Sequence, residues 1–342
     1  MGELERMAQY RLPKHVWDYA NGGAGSEATL RRNRAALARL AIEQRVLVDV
    51  RNIDLSVDFL GVRLPMPAIV APMGGLFRFW PQGELEMARG AGRDGCMATV
   101  SGVCRWPVEQ VAEAATGPLL FQLYHNGPRE WVQAKLERVH SCPVYKAVCL
   151  TVDVPLYGRR DRDLDNRYGA RASEETQELP EPKPPDPEYP AQLTWADVDW
   201  LRQHVRLPFG LKGILSAADA RIALDHGVDF IWVSNHGGRQ LDSARATVEA
   251  LPDVAEVVAG RVPIVVDGGF TRGSDVVKGL ALGATVVAMG KAASWGLAAG
   301  GADGIAAMLR IIREETRLAM GLSGHTSMRE LTPDVVRTAG AA

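Results

Sequence analysis

The chain has 342 residues, of which 46% are hydrophobic and 23% are charged, and its formal net charge at pH 7 is -2. These values are typical of a globular protein, and the nearly balanced charge gives no reason to expect binding to nucleic acid or to a membrane surface. No apolar run reaches the roughly 18 residues of a membrane-spanning helix, and the N-terminus lacks the basic-then-apolar pattern of a signal peptide.

Residues 1–66 are predicted to form a helical preface to the fold. Within it, "NGGAG" at 21–25 is typical of a loop, and "LSVDFLGVRL" at 55–64 is typical of a short β-like stretch. The pattern then changes to short apolar runs that end in small or polar residues. Eight such runs follow, at 67–73, 96–102, 118–124, 145–153, 209–213, 230–235, 263–269 and 285–290.

The eight runs are apolar on both faces, as strands of a covered parallel sheet are, and helix-like segments lie between them. This alternation predicts an α/β protein, a (β/α)8 TIM barrel with an N-terminal helical extension. A doubly wound sheet is the alternative, but it requires a GxGxxG turn after its first strand, and none is found there. We expect residues 1–342 to form a single domain.

A long loop follows the fourth predicted strand, from 154 to 195. Six prolines lie between Pro180 and Pro190, among many charged residues. A segment of this composition is expected to run over the barrel rather than into its core. It is either a lid over the barrel mouth or a surface insertion, and the sequence leaves both open.

Polar residues or glycines end every predicted strand. Because the carboxyl ends of the strands build the site in a TIM barrel, we expect these residues to surround one mouth and to bind a polar ligand. They are Gly74, Ser101, Gln122, Tyr124, Thr151, Asp153, Lys212, Ser234, Asn235, His236, Asp267, Gly290 and Lys291.

The ends of the seventh and eighth strands predict a phosphate site, since TIM barrels bind phosphate there with glycine-loop amides and a helix N-terminus. The candidate residues are Gly268, Gly269, Arg272, Gly290 and Lys291. A planar cofactor that runs from this site across the mouth would bring its ring to Lys212. That lysine is either a structural ion-pair partner or a cation that stabilises the anionic form of a reduced flavin.

The stretch "FIWVSNHGGRQLD" at 230–242 contains a candidate base. An isolated histidine at this point is also consistent with a polar turn after a strand, but an imidazole titrates near neutral pH and suits proton transfer. Asp153, at another strand end, is placed to orient His236, and Arg239 has the planar fork that binds a carboxylate. Arg160 is a candidate second arginine for the same anion.

Two tyrosines, Tyr19 and Tyr124, are candidates to donate hydrogen bonds to a hydroxyl or a carboxylate. A base, an orienting acid and paired cations together favour the removal of hydrogen from the α-carbon of a hydroxy acid.

The chain resembles the FMN-dependent 2-hydroxy acid oxidases and dehydrogenases over nearly its whole length, from about Leu12 to Ser327. The motifs that carry the resemblance are "LPKHVWDYANGGAGSEATL", "FQLY", "LTVDVPLYGRRDRD", "LKG", "SNHGGRQLD", "VVDGG" and "LSGHTS". The resemblance implies FMN as the cofactor, (S) stereochemistry and a homotetramer.

The resemblance also implies a role for each matching residue. His236 is the base and Asp153 its partner; Arg160, Arg239 and Tyr19 bind the substrate carboxylate, and Tyr124 binds its hydroxyl. Lys212 faces the N1 and O2 edge of the flavin, and Asp267 holds the ribityl chain. The isoalloxazine ring is held by Pro72, Met73, Gly74, Ser101, Gln122, Thr151 and Ser234.

The chain departs from the family pattern at the phosphate site and in the first barrel loop. Thr271 and Lys291 stand where the family usually has arginine, which predicts weaker binding of FMN. Trp80 and Gln82 stand where the family usually has His and Glu. Small residues at Gly74 and 101–103, and an apolar wall at Phe77, Phe79 and Trp80, favour a bulky or aryl 2-hydroxy acid; packing is the alternative explanation of the three aromatic residues.

Three functions stay open. An oxidase passes the two electrons to O2 and forms H2O2, whereas a dehydrogenase passes them to a quinone or another protein. A flavin-binding protein recruited to a biosynthetic complex is the third. The four cysteines form no CxxC pair and no zinc-type cluster with histidine, so we expect reduced thiols, no metal site and a cytoplasmic location.

Overall fold

The computed structural model describes residues 1–168 and 189–338. The part of the predicted lid or insertion at 169–188 lies outside the described residues. Three helices open the chain, at Gly2–Arg11 (α1), Lys14–Asn21 (α2) and Ala28–Arg39 (α3). Pro13, whose φ of -55° suits the residue before a helix, separates the first two.

Two small antiparallel sheets flank the barrel. Strands β1 (Leu40–Ile42) and β12 (Val336–Thr338) pair near the two ends of the chain. Strands β2 (Val57–Phe59) and β3 (Val62–Leu64) form a hairpin. Its two-residue turn has positive φ at both Leu60 and Gly61, the geometry that matches the twist of a hairpin.

Eight parallel strands close into a barrel in the order β10-β11-β4-β5-β6-β7-β8-β9, which confirms the (β/α)8 prediction. Pairing of Val287 with Ala68 closes the ring between the last and first barrel strands. The strands are Ala68–Val70 (β4), Ala98–Ser101 (β5), Leu119–Leu123 (β6), Tyr145–Thr151 (β7), Phe209–Ile214 (β8), Phe230–Val233 (β9), Ile264–Val266 (β10) and Val286–Met289 (β11).

Helices surround the barrel and bury the outward faces of its strands. They are Gly83–Gly92 (α4), Val108–Ala114 (α5), Arg129–His140 (α6), Asp161–Asp165 (α7), Trp195–His204 (α8), Ala217–Asp225 (α9), Thr247–Val258 (α10), Gly273–Ala281 (α11) and Lys291–Leu322 (α12). The last is kinked, because Gly300 and Gly301 leave helical geometry. Within the described ranges, no helix is both long and apolar enough to cross a membrane.

The barrel interior is packed, and one of its two ends is plugged. Inward-facing side chains such as Trp232 and Cys149 are fully buried inside the barrel. The β2–β3 hairpin adds Phe59, whose ring packs edge-on against Phe230 with 6.1 Å between centroids. Since Phe230 begins β9, the hairpin covers the amino ends of the strands, and the opposite mouth is left for a ligand.

Candidate active site

A cavity of about 1120 Å³ lies at the carboxyl ends of the barrel strands. Residues that end or follow every one of the eight strands line it, as the strand-end pattern predicts. Of the predicted site residues, all but Asp153 and Ser234 line the cavity, and these two hydrogen-bond residues that do. Folding therefore brings the whole predicted set to one place, although the role of each member remains a prediction.

His236 and Asp153 form a hydrogen-bonded pair beside the cavity. Asp153 Oδ1 lies 3.1 Å from Nδ1 of His236, and the two side chains are only 13% and 20% exposed. The backbone of His236 is left-handed, with φ at 58°, and its N–H donates to Ser234 Oγ over 3.1 Å. Gly213 makes the pair possible, because a Cβ there would lie 2.6 Å from that of Asp153.

The electrostatics of this pair favour a neutral base. Burial lowers the pKa of His236, and the carboxylate of Asp153 offsets part of that effect. Burial alone would raise the pKa of Asp153, but its interactions with His236, which also hydrogen-bonds it, and with the charge of Lys212 hold that pKa below its ordinary value. An ionised Asp153 accepts the Nδ1 proton of a neutral imidazole, which leaves the lone pair on Nε2 free to take a proton.

Lys212 is a buried cation at the end of β8. Its Nζ donates to Ser234 Oγ over 3.0 Å and lies 3.5 Å from Asp267 Oδ2. Burial opposes its charge, yet Asp267 and Asp153 raise the pKa of Lys212 above the ordinary value. Lys212 is thus ion-paired, which confirms the first interpretation. It also lines the cavity, and its role towards a flavin stays a prediction.

Unpartnered donors line the region expected to hold the isoalloxazine ring. Nε2 of Gln122 and Oγ1 of Thr151 are buried without a hydrogen-bond partner among the described residues. Ser101 Oγ donates to Gln122 Oε1 over 2.9 Å, which fixes the amide with Nε2 as its remaining donor. Gly74 is tightly packed, since a Cβ there would lie 2.6 Å from Val103 Cγ2. These groups fit the oxygen- and nitrogen-rich edge of a flavin.

The predicted phosphate end fits an anion. Gly268 and Gly269 have φ of 96° and 93°, a conformation that glycine adopts without strain, and Gly290 precedes the first residue of α12. Glu315 pairs with Arg272 through Nε and Nη2, at 2.9 and 2.8 Å, so Nη1 is the nitrogen left to face a phosphate.

Lys291 is placed differently from a simple phosphate ligand. Its Nζ donates to the backbone oxygen of Asn21 over 2.7 Å, and Trp295 Nε1 donates to the Asn21 side chain over 2.9 Å. Burial and the nearby charge of Arg239 lower the pKa of Lys291 to about 7. The lysine therefore ties the start of α12 to the end of α2, the helix that carries Tyr19.

Arg160 and Arg239 meet at the ring of Tyr19. Their Cζ atoms lie 6.0 and 4.9 Å from its centroid. Arg239 Nη1 donates to the carbonyl of Tyr19 over 2.5 Å, and Arg160 Nη1 donates to the hydroxyl of Tyr157 over 2.5 Å. Burial raises the pKa of Tyr124, so its phenol stays protonated and able to donate. Two cations and phenol donors in one place suit a carboxylate that carries an adjacent hydroxyl.

The apolar wall agrees with the structure only in part. Phe77 and Phe79 line the cavity, whereas Trp80 packs against the kink of α12, because a Cβ at Gly301 would lie 2.9 Å from its ring. Of the two explanations offered for Trp80, packing is therefore the one that the structure supports. Its position between Phe79 and Pro81 gave no sign that it turns away.

Sequence reasoning also missed residues of the cavity. Tyr157 lies three residues before Arg160, a spacing that could have suggested its hydrogen bond to that arginine. Arg78 and Arg105 lie in loops after the first two barrel strands and line the cavity. Their positive charge was the available signal.

A barrel mouth that combines an imidazole of lowered pKa, an arginine pair suited to a carboxylate and donors suited to a flavin edge has the features that a flavin-dependent oxidoreductase requires. The sequence profile of the family described as FMN-dependent dehydrogenase matches residues 8–338, and the chain belongs to this family. FMN is therefore its cofactor.

Curated relatives are similar over nearly the full length. Glycolate oxidase of Spinacia oleracea is 39% identical over 97% of this chain and 94% of its own. A peroxisomal (S)-2-hydroxy-acid oxidase of Oryza sativa subsp. japonica is 40% identical over 99% of this chain and 95% of its own.

Solved structures agree with the fold in detail. A variant of mandelate oxidase with (S)-mandelic acid superposes with a TM-score of 0.89 at 37% identity, covering 98% of this chain and 97% of its own. A soluble mutant of the membrane-associated (S)-mandelate dehydrogenase of Pseudomonas putida superposes with a TM-score of 0.90 at 34% identity, covering 98% of both chains.

Proposed function

We propose that the protein oxidises an (S)-2-hydroxy acid with a bulky or aryl side chain to the 2-oxo acid, with O2 as the electron acceptor and H2O2 as the second product. The observation that carries this proposal is the His236–Asp153 pair, held at 3.1 Å beside a cavity that also contains Arg160 and Arg239. FMN, when bound, supplies the two-electron acceptor.

In the proposed reaction the arginine pair binds the substrate carboxylate and fixes the α-carbon in front of the base. Tyr124 donates a hydrogen bond to the hydroxyl. His236 Nε2 takes the proton that leaves the substrate, and Asp153 stabilises the imidazolium that results. Lys212, kept protonated by Asp267 and Asp153, would supply positive charge that stabilises the anionic form of a reduced flavin.

Pocket shape and the comparisons support the bulky side chain. Phe77, Phe79 and Val103 line the cavity, and Val103 is 42% exposed. Solved mandelate oxidase and mandelate dehydrogenase structures superpose over 98% of the chain. The names of the curated relatives, which are oxidases, support O2 as the acceptor.

A dehydrogenase that passes its electrons to a quinone or a protein is the second candidate. The high TM-score of 0.90 with a mandelate dehydrogenase favours it. We further propose a homotetramer in the cytoplasm. All four cysteines are free thiols, which supports a reducing compartment, and the family resemblance supports the tetramer. Light scattering during gel filtration tests the assembly.

One experiment separates these functions. The holoenzyme is mixed with (S)-mandelate, (S)-lactate or glycolate without oxygen, and the flavin band near ~450 nm is followed. We expect (S)-mandelate to bleach the band fastest. Fast recolouring in air supports an oxidase, and slow recolouring supports a dehydrogenase. A flavin that no hydroxy acid bleaches would contradict the proposed reaction and favour a protein recruited for binding alone.

A further inference from the structure

Arg78 and Arg105 line the cavity but have no part in the proposed reaction. Arg78 ends a short 3-10 helix, Leu76–Arg78, in the loop after β4, and Arg105 lies in the loop between β5 and α5. In the closed ring of eight strands, β5 lies directly opposite β9, the strand that leads into His236 and Arg239. The two arginines therefore approach the cavity from the side opposite the base.

A continuous row of aromatic rings and guanidinium groups connects the two sides. Arg239 and Arg78 lie over the ring of Tyr19, with Cζ atoms 4.9 and 5.6 Å from its centroid. Arg78 and Arg105 then share the ring of Phe77, at 4.6 and 5.2 Å. A ligand whose carboxylate sits at Arg239 can thus extend along Tyr19 and Phe77 towards Arg105.

The positive charge of the Arg105 guanidinium is not neutralised by a direct ion pair within the part of the chain that the structure describes. No side-chain hydrogen bond or ion pair joins its guanidinium to another of the described residues, and the ring of Phe77 is its close partner. Glu84 accepts the backbone N–H of Arg105 over 3.3 Å rather than its side chain. Burial raises the pKa of Glu84, which weakens it as a counter-ion. A guanidinium held in a cavity in this way is suited to an anion that arrives with the ligand.

We propose that Arg105, assisted by Arg78, forms a second anion site, and that the substrate is a 2-hydroxy acid whose side chain ends in a negatively charged group such as a carboxylate. This inference rests on the proposed function, because the first carboxylate must occupy Arg160 and Arg239. The ring of Phe77 between the two arginines favours an aryl spacer, which stacks on aromatic and guanidinium planes.

Two nearly isosteric substrates test the proposal. (S)-4-carboxymandelate has the distal charge, and (S)-4-carbamoylmandelate lacks it. The wild-type holoenzyme is expected to reduce its flavin with the diacid at a kcat/KM about tenfold or more above that for the amide, the scale of one charge-assisted hydrogen bond. Arg105→Met should abolish this preference, because kcat/KM should fall much more for the diacid than for the amide, and Arg105→Lys should keep part of the preference.

Arg206→Met is the matched control, since Arg206 forms an exposed ion pair with Glu137 outside the cavity. Arg206→Met should leave kcat/KM unchanged for both the diacid and the amide. The proposal would be overturned if kcat/KM of the wild type were equal for the diacid and the amide. It would also be overturned if Arg105→Met lowered kcat/KM equally for both substrates. FMN content and circular dichroism verify folding, and Arg105→Gln replaces the Met variant if that fails to fold.

Failure of the proposed function is distinguishable from failure of the second anion site. If neither acid reduces the flavin, the oxo acid 4-carboxybenzoylformate is titrated, and binding is read from the shift of the flavin band without turnover. Binding that weakens about tenfold or more in Arg105→Met supports the second site. Binding that is the same in both proteins contradicts it.

Discussion

At the scale of single residues, the His236–Asp153 pair shows how burial and charge set the state of a base. Burial favours the neutral imidazole, and the ionised carboxylate of Asp153 limits the fall in its pKa. The strand-end pattern placed both residues at the mouth. The 3.1 Å contact itself depends on the close approach at Gly213, which no local pattern reveals.

Replacement of Asp153 with Asn is expected to lower the pKa of His236 further, because the nearby negative charge raises that pKa in the wild type. The acid limb of the pH profile for flavin reduction should therefore move to lower pH. The plateau rate should fall by about 10²-fold, since the imidazolium loses its counter-ion. Stopped-flow reduction across pH measures both effects. An acid limb that moves to higher pH would contradict the assignment of His236 as the base and Asp153 as its partner.

Arg239→Lys keeps the charge but loses the planar fork, so we expect KM for the 2-hydroxy acid to rise about tenfold to a hundredfold. Arg245→Lys serves as a control, because Arg245 forms an exposed ion pair with Asp253. Steady-state kinetics with (S)-mandelate measures the change. An unchanged KM in Arg239→Lys would remove Arg239 from the carboxylate site.

At the scale of elements, the end of α2 is held by two cations. Arg239 donates to the carbonyls of Tyr19 and Gly22, and Lys291 donates to that of Asn21, where the helix dipole favours positive charge. Sequence reasoning identified Lys291 as a substitution at the phosphate site. It could not identify Asn21 as its partner, because the two residues are 270 positions apart in the chain.

Lys291→Met should weaken FMN binding about tenfold, since a cation next to Gly290 is lost. It should also raise KM, because the helix that carries Tyr19 loses a tether. With a pKa of about 7, Lys291 loses its charge as the pH rises, so wild-type affinity for FMN should decline above neutral pH. In the Met variant this decline should be absent. Quenching of FMN fluorescence on titration with apoprotein measures the affinity of each protein at each pH. If the affinity of Lys291→Met equalled that of the wild type at all pH values, Lys291 would be excluded from the phosphate site.

Strand positions were predictable because runs buried on both faces have a distinctive composition. Seven of the eight predicted runs contain an observed strand in full, and β8 extends one residue beyond its run, to Ile214. The other seven observed strands are shorter at the mouth than their predicted runs; the run predicted at 263–269, for example, contains only Ile264–Val266. Residues after the strands no longer pair with the neighbouring strands, and Gly268 and Gly269 turn with positive φ to build the cavity. Ligand-binding geometry thus begins where sheet hydrogen bonding ends.

At the scale of the whole molecule, the alternation of strand-like and helix-like segments predicts the barrel, and the parallel topology of a barrel brings the polar carboxyl ends of its strands together. The sequence was therefore sufficient to predict both features. The side of the cavity opposite His236 was not predictable in the same way. Arg105 reaches it through a loop, and its contact with Phe77 depends on tertiary packing. The homotetramer also stays a prediction, because contacts between subunits require more than one chain.

A single domain predicts one cooperative unfolding transition that shifts as a unit when FMN binds. At free FMN about 100 times its Kd, binding should stabilise the folded state by about 2.7 kcal/mol and raise Tm accordingly. Thermal unfolding followed by circular dichroism, with and without FMN, tests this expectation. Two transitions, of which FMN shifts only one, would contradict the single-domain prediction.

The central claim is that this barrel oxidises a 2-hydroxy acid with His236 as the base. Its most direct test is anaerobic stopped-flow reduction of the flavin by (S)-mandelate in the wild type and in His236→Asn, both saturated with FMN. We predict rapid bleaching near ~450 nm in the wild type and a rate at least about 10²-fold lower in the variant. Equal rates in the two proteins, or no bleaching in the wild type by any 2-hydroxy acid, would contradict it.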